Sequence, residues 1–310
     1  MNPKNRALLL IAILAALCGG SIWGVALYRA RYISTGMLLN RMPTQDAVIF
    51  SIDFSALRRG GILQLLEGSR ASEDPDYQNF ARKINFDYRE DLDSVLATFT
   101  PSARYFLIRG RFTWKSLRSY AMESGGNCLT ALCRMTGSTP DRRISFFPVQ
   151  SGLMALAVST YESAVLELTK SPSGPPAEVP DAPVWLSVPG ALLRSGHYLQ
   201  DLPEGTKMFT RGMDRAEKVV LTFAPEGNRL AAGLEIRCRN EQDAVEVASQ
   251  LSSATLTLRQ MIEREHQTPG SANLAGVLVA GSFRTEGRTV FGRWPVERAF
   301  IETILGGGLS

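Results

Sequence analysis

The chain has 310 residues, is 45% apolar and 21% charged, and carries a net charge of +4 at neutral pH. So small a surplus gives no strongly basic face, which excludes nucleic acid as an expected partner. Four cysteines and two histidines, without ligand spacing among them, give no zinc framework, and neither a metal nor a cofactor is expected.

From the N-terminus, the first element is Ala7–Tyr28, ALLLIAILAALCGGSIWGVALY, 22 residues without a charge between Arg6 and Arg29. At about 1.5 Å of rise per residue it would cross a bilayer core. One reading is an uncleaved signal anchor, with residues 1–6 as a cytoplasmic tail and 29–42 as a juxtamembrane segment. The other is a cleavable signal peptide, with Ala7–Cys18 as its apolar region and Gly24-Val25-Ala26 as the cleavage site. The apolar stretch runs on through Leu27, and Trp23 and Tyr28 suit an interfacial belt. The expectation is therefore a single-pass inner-membrane protein with the bulk of the chain periplasmic.

A first α+β domain is read over 43–170. DAVIFSID predicts a strand and FSALRRGG a helix. The acidic run FDYREDLDSVL (Phe86–Leu96) is read as a capped helix start, with Asp87 or Asp91 as N-cap and Leu92, Val95 and Leu96 facing the core. Its carboxylates Asp87, Glu90, Asp91 and Asp93 lack the spacing of a calcium loop. RYFLIRGRF predicts a strand and TWKSLRSYAMES a helix. RISFFPV and LMALAVS follow as a strand pair, then YESAVLELTK as a helix. Cys128 and Cys133 in GGNCLTALCRM are read as a disulfide closing a small loop in an oxidising compartment. Free thiols and a metal half-site are the alternatives. Arg104, Arg109, Arg111, Arg142 and Arg143 flank two of these strands and form a possible patch for an anionic partner. Charge that protects a sheet edge is the plainer reading.

SPSGPPAEVPDAP (171–183) holds five prolines in thirteen residues and reads as an extended linker. A second α+β domain is read over 184–310. It opens much as the first does: DAPVWLSVPGALLRSG matches DAVIFSIDFSALRRGG. KVVLTFAPEGNRLAAGLEIRC predicts a hairpin turning at Glu226-Gly227-Asn228. NEQDAVEVASQLSSATLTLRQMIERE predicts a long helix capped by Asn240. Its buried stripe runs through Ala244, Val247, Ala248, Leu251, Ala254, Leu258, Met261 and Ile262. GVLVAGSF and RTVFGRWPV predict a strand pair, and VERAFIETIL a closing helix. The two halves read as internal duplicates, with a ferredoxin-like unit as the arrangement they suggest.

No phosphate loop, zinc-protease helix, nucleophile elbow, dinucleotide fingerprint or S-x-x-K arrangement occurs. His197 and His266 read as surface residues and Cys238 as a small buried apolar group.

The segments LLNRMPTQDAVIFSIDFSALRRGGIL, FDYREDLDSVL and YFLIRGRFTWKSLRSYA resemble uncharacterised exported or membrane-anchored bacterial proteins built of repeated α+β units. That family carries no known activity, so the resemblance transfers no functional residue. The expectation is a non-enzymatic, membrane-anchored scaffold or binding protein of the bacterial envelope that engages an envelope protein, with strand addition at a sheet edge as one mode. An envelope enzyme without histidine or metal, and a lipid or apolar-ligand binder between the two domains, are the alternatives.

Overall fold

Val48–Asp53 (β1) and Val184–Pro189 (β8) are short runs rich in β-branched and aromatic residues, and both bury alternate side chains. They lie antiparallel, with Phe50 opposite Leu186. This pairing joins the two halves of the chain into one sheet. In the computed structural model, residues 33–63, 75–137, 139, 141–170, 174–195, 209–210, 212–226, 229–264 and 273–305 are described.

The remaining strands are β2 (Leu92–Phe99), β3 (Ala103–Gly110), β4 (Asn127–Leu129), β5 (Leu132–Thr136), β6 (Arg143–Gln150) and β7 (Leu153–Ser159), then β9 (Ala216–Glu226), β10 (Arg229–Cys238), β11 (Ser282–Glu286) and β12 (Thr289–Val296). Their order across the twelve-stranded sheet is β11-β12-β10-β9-β8-β1-β2-β3-β7-β6-β5-β4. Every neighbouring pair is antiparallel. Outward from the centre, β1-β2-β3-β7-β6 and β8-β9-β10-β12-β11 follow the same order of connection. The β4–β5 hairpin extends the first half alone.

The helices are α1 (Thr35–Leu39), α2 (Phe54–Arg59), α3 (Pro75–Ile84), α4 (Tyr88–Asp91), α5 (Trp114–Glu123), α6 (Gly190–Arg194), α7 (Glu241–Arg264), α8 (Leu274–Val279) and α9 (Arg298–Leu305), with a 3-10 helix at Ala164–Thr169. One face of the sheet carries the main helices. Over the first half, α3 and α5 pack Ile84, Leu117 and Ala121 on Cys133, Phe146 and Met154. Over the second half, α7 lays Ala244, Val247, Leu251, Ala254, Leu258 and Ile262 on Ala232, Leu234, Ile236, Val290 and Trp294. Asn240 caps α7, its Oδ1 accepting from Asp243 N at 2.8 Å. Met261, expected in the buried stripe, is exposed.

Residues of 33–40 and 174–179 form a separate small unit. In it, Ala177 N donates to the Gly36 carbonyl at 3.3 Å and Asn40 Nδ2 to the Pro175 carbonyl at 2.7 Å. Part of the proline-rich stretch is thus bonded to α1.

Several expectations are corrected. No helix among the described residues is long and apolar enough to cross a membrane. The single-pass inner-membrane reading, with the membrane as partner, is therefore not upheld; the anchor's assigned residues, 7–28, lie outside the described residues. The ferredoxin-like arrangement does not form. There a further strand slips between two strands joined by a helix, whereas β1 and β2, joined through α2–α4, pair directly. The acidic run makes only one helical turn, α4, capped by Asp87. Leu92–Phe99 then continues as a strand, because it pairs with both β1 and β3. Of the run GVLVAGSF, residues 276–279 are helical rather than extended, since Asn273 Oδ1 accepts from Gly276 N at 2.7 Å and starts a turn there.

Candidate functional site

The second sheet face separates the two halves. Side chains directly opposite each other across a ladder share a face. From β1 outward, one row on this face reads Ile49, Thr98, Tyr105, Ala157, Ser145. From β8 outward, the matching row reads Trp185, Thr222, Gly233, Arg293, Ser282. The next rows are Ser51, Leu96, Leu107, Ala155, Phe147 and Ser187, Val220, Glu235, Phe291, Arg284.

In the first half this face is core. The 3-10 helix lies on it, with Val165 and Leu168 fully buried. Ser145 Oγ accepts from Val165 N at 3.3 Å. Tyr105 Oη donates to Glu167 Oε2 at 2.9 Å, and Arg134 Nη2 donates to Ser163 Oγ at 3.0 Å. Burial and the Glu167 carboxylate push the Tyr105 phenol well above its ordinary range.

In the second half the same face is a groove. Its volume is about 560 Å³, over a floor of Thr222, Ala224, Ala231 and Gly233. Gly233 keeps the floor low: a Cβ there would come within 2.4 Å of Thr222 Oγ1. Phe291 forms one wall with the Arg284 guanidinium stacked 4.6 Å from its ring centre. Arg284 pairs with Glu286 and Arg293 with Glu226, both pairs exposed. Glu235 and Ser282 complete the rim. The helix that follows β12, α9, does not close the groove. Its Phe300 and Ile301 join the core of Trp294 and Val296, which point to the opposite face.

The five arginines named from the sequence do not make one patch. Arg104, Arg142 and Arg143 lie at one end of the β3–β7–β6 ladder, Arg109 and Arg111 at the other. Arg104 also points to the opposite face from Arg109 and Arg143, since their ladder rows alternate. Arg111 is held by Asp91 at 3.1 Å and by the Glu90 carbonyl at 2.6 Å, and Arg143 by Thr136 at 3.1 Å.

The acidic run is consumed locally. The Arg89 side chain bonds both Asp87 oxygens and holds that carboxyl below its ordinary range. Asp91 Oδ2 accepts from Asp87 N at 2.9 Å, and Asp93 Oδ1 accepts from Ser55 Oγ at 3.1 Å. Among the described residues no group of three or more His, Cys, Asp or Glu could hold a metal.

A disulfide joins Cys128 and Cys133, which face each other across the β4–β5 hairpin. Thr130 at its turn has φ of 55°, a costly conformation for a β-branched residue, and Leu129 beside it is 68% exposed. Cys238 is buried, and burial raises its thiol pKa. His197 and His266 lie outside the described residues.

The groove residues Gly233, Ser282, Arg284, Phe291 and Arg293 carried no signal in the sequence reading. The available one was the run LAAG, whose small side chains on the non-helical face leave little to bury.

No known protein family matches the chain, and no curated protein does. Solved structures of TP0453 do. Crystal form III is 8% identical, with a TM-score of 0.52, covering 87% of this chain and 97% of that one. Form I is 10% identical, with a TM-score of 0.48 over 90% and 100%, and form IV 8% identical, with 0.44 over 86% and 96%. The likeness to form III shows a shared fold.

Proposed function

We propose that the chain is a non-enzymatic binding protein of an extracytoplasmic compartment and that its site is the groove over β9, β10, β12 and β11. The observation that carries the reading is the contrast between the two faces. One sheet surface is roofed and buried over the first half, and over the second it is a 560 Å³ depression with small floor residues and a charged rim. A depression of that size lies within the usual range for ligand sites. It offers a guest shape and charge: an aromatic wall, two arginines in exposed ion pairs, and the hydroxyls of Thr222 and Ser282. The Cys128–Cys133 disulfide supports an oxidising compartment.

We also infer that the halves descend from a duplicated unit. Besides the repeated strand order, Arg58 and Arg194 do the same work at the ends of α2 and α6. Arg58 Nη2 donates to the carbonyl of Leu92, where β2 begins, at 2.9 Å. Arg194 Nη1 donates to the carbonyl of Ala216, where β9 begins, at 2.9 Å. Each arginine ties the first helix of its half to the start of the next strand.

The test is methyl NMR of the full-length protein labelled at alanine. The Ala224 and Ala231 methyls report on the groove; Ala155 and Ala157, under the 3-10 helix, are controls. A panel of short peptides, fatty acids and small aromatic acids is titrated in. Shifts at Ala224 and Ala231 with quiet controls are expected for at least one class. If no class moves the two floor methyls, the groove is not a binding site.

A further inference from the structure

We propose that the guest of this groove is a short amphipathic helical segment of a partner protein. It would seat as the 3-10 helix Ala164–Thr169 seats on the first half, with an acidic side chain between Arg284 and Arg293. The inference rests on the groove being a binding site and names what fills it.

The argument runs through the matching rows of the sheet. In the first half, Tyr105, Ala157 and Ser145 lie beneath the helix, and Thr98 is buried beside Tyr105 in the same row. Thr222 and Ser282 stand at the places of Thr98 and Ser145. Ser145 accepts the backbone N–H of Val165, so it satisfies a donor that would otherwise be buried unpaired. Ser282 offers the same oxygen at the same ladder position, at the groove. Gly233 stands at the place of Tyr105, removing the largest side chain beneath the helix and leaving depth for an apolar residue of a guest.

The charges complete the match. Glu167 of the 3-10 helix is held by Tyr105. The second half has no tyrosine at that place, but Arg293 neighbours Gly233 directly and Arg284 stands on the adjoining row. Among the described residues the ion-pair partners of both arginines are exposed glutamates, at side-chain exposures of 53–64%. Such pairs contribute little and exchange readily for a better-placed carboxylate. The segment that would fill the groove in cis, α9, is committed to the other face through Phe300. Among the described residues no segment takes the place of that roof, and it is assigned to another chain.

The probe is a free peptide of residues 161–170, YESAVLELTK, blocked at both ends and added to the full-length protein labelled at alanine methyls. Saturating shifts at Ala224 and Ala231 are expected, with Ala155 and Ala157 still. A peptide with Glu167→Lys should bind about fivefold more weakly, and the protein variant Arg284→Glu should reverse that preference. Ser282→Trp, at an exposed edge position that leaves the core intact, should block the shifts. Equal binding of both peptides overturns the charge assignment and with it the proposal. Floor methyls that ignore the peptide but move with a fatty acid or small aromatic acid overturn the helical guest while leaving the groove a binding site. Floor shifts that appear on concentrating the protein alone show a second copy as occupant and overturn it too. Silence to every class removes the groove reading itself.

Discussion

The two halves share a strand order and a helix-bearing face, yet their other faces have opposite fates. Over the first half the residues beneath the 3-10 helix are a second core: Leu107 is 1% exposed and Ala155 and Ala157 are fully buried. Over the second half the matching positions are Glu235, Phe291 and Arg293, and the face is a groove. Backbone pairing alone therefore does not decide whether a sheet surface becomes core. What decides it is which side chains alternate there and where the next segment of chain travels. After β7 the chain turns back across this face; after β12 it joins the helical side.

The matched rows let the contrast be broken one pair at a time. Leu107 and Glu235 occupy equivalent ladder positions. Leu107→Ala should destabilise the protein by about 2–5 kcal/mol, the range for emptying a buried leucine site. Glu235→Ala should stay within about 0.5 kcal/mol, as exposed substitutions do. Denaturant melts of the two variants measure both. Equal effects would mean that the second face is as buried as the first. Ser145 and Ser282 sharpen the comparison. Ser145→Ala leaves the Val165 N–H buried without its acceptor and should cost about 1–3 kcal/mol. Ser282→Ala should change stability little in the unliganded protein.

Among the described residues, the β4–β5 hairpin is the one part of the sheet without a counterpart in the second half. Its disulfide closes a loop of sequence separation 5. The chain-entropy estimate for so short a loop is about 2 kcal/mol. A Cys128→Ser, Cys133→Ser double variant should therefore lower overall stability by about that amount while leaving the groove methyls unshifted, which heteronuclear spectra would show directly. A change at Ala224 or Ala231 would instead link the far edge of the sheet to the groove.

How much of this was written in the sequence depends on the range of the interaction. Local signals read well. Asn240 caps the long helix where its side chain predicts, and the cysteines face each other across a hairpin as their spacing suggests. Failures came where a distant partner overrode a local preference. Leu92–Phe99 follows a capped acidic turn and has helical spacing at Leu92, Val95 and Leu96, but β1 and β3 on either side hold it extended. The arginines of the expected patch are close in sequence pattern and far apart along the ladder, because strand direction alternates. The groove was illegible for a further reason. It exists because α9 goes elsewhere, and its floor is made of alanine, glycine and threonine, which carry no chemical motif.

The smallest expected effect is also the most local. Tyr105 is the buried phenol beneath the 3-10 helix, and its counterpart Gly233 has no group to titrate. Burial and the Glu167 carboxylate raise its folded-state pKa above the model-compound value of 10.0. A phenol raised in this way loses its proton more readily unfolded than folded. Its stabilising contribution is therefore complete below pH 10.0 and is lost as pH climbs from there through the raised folded value. Thermal melts from pH 8 to 11 should show a descending limb above about pH 10 that is shallower in Tyr105→Phe, since phenylalanine cannot ionise in either state. The same variant removes the hydrogen bond to Glu167, so its melting temperature at neutral pH should fall while its alkaline slope flattens. A variant with an unchanged slope would assign the alkaline limb to other groups, and an unchanged neutral-pH melting temperature would mean that the roof over the first half is held by Val165 and Leu168 with no contribution from the phenol.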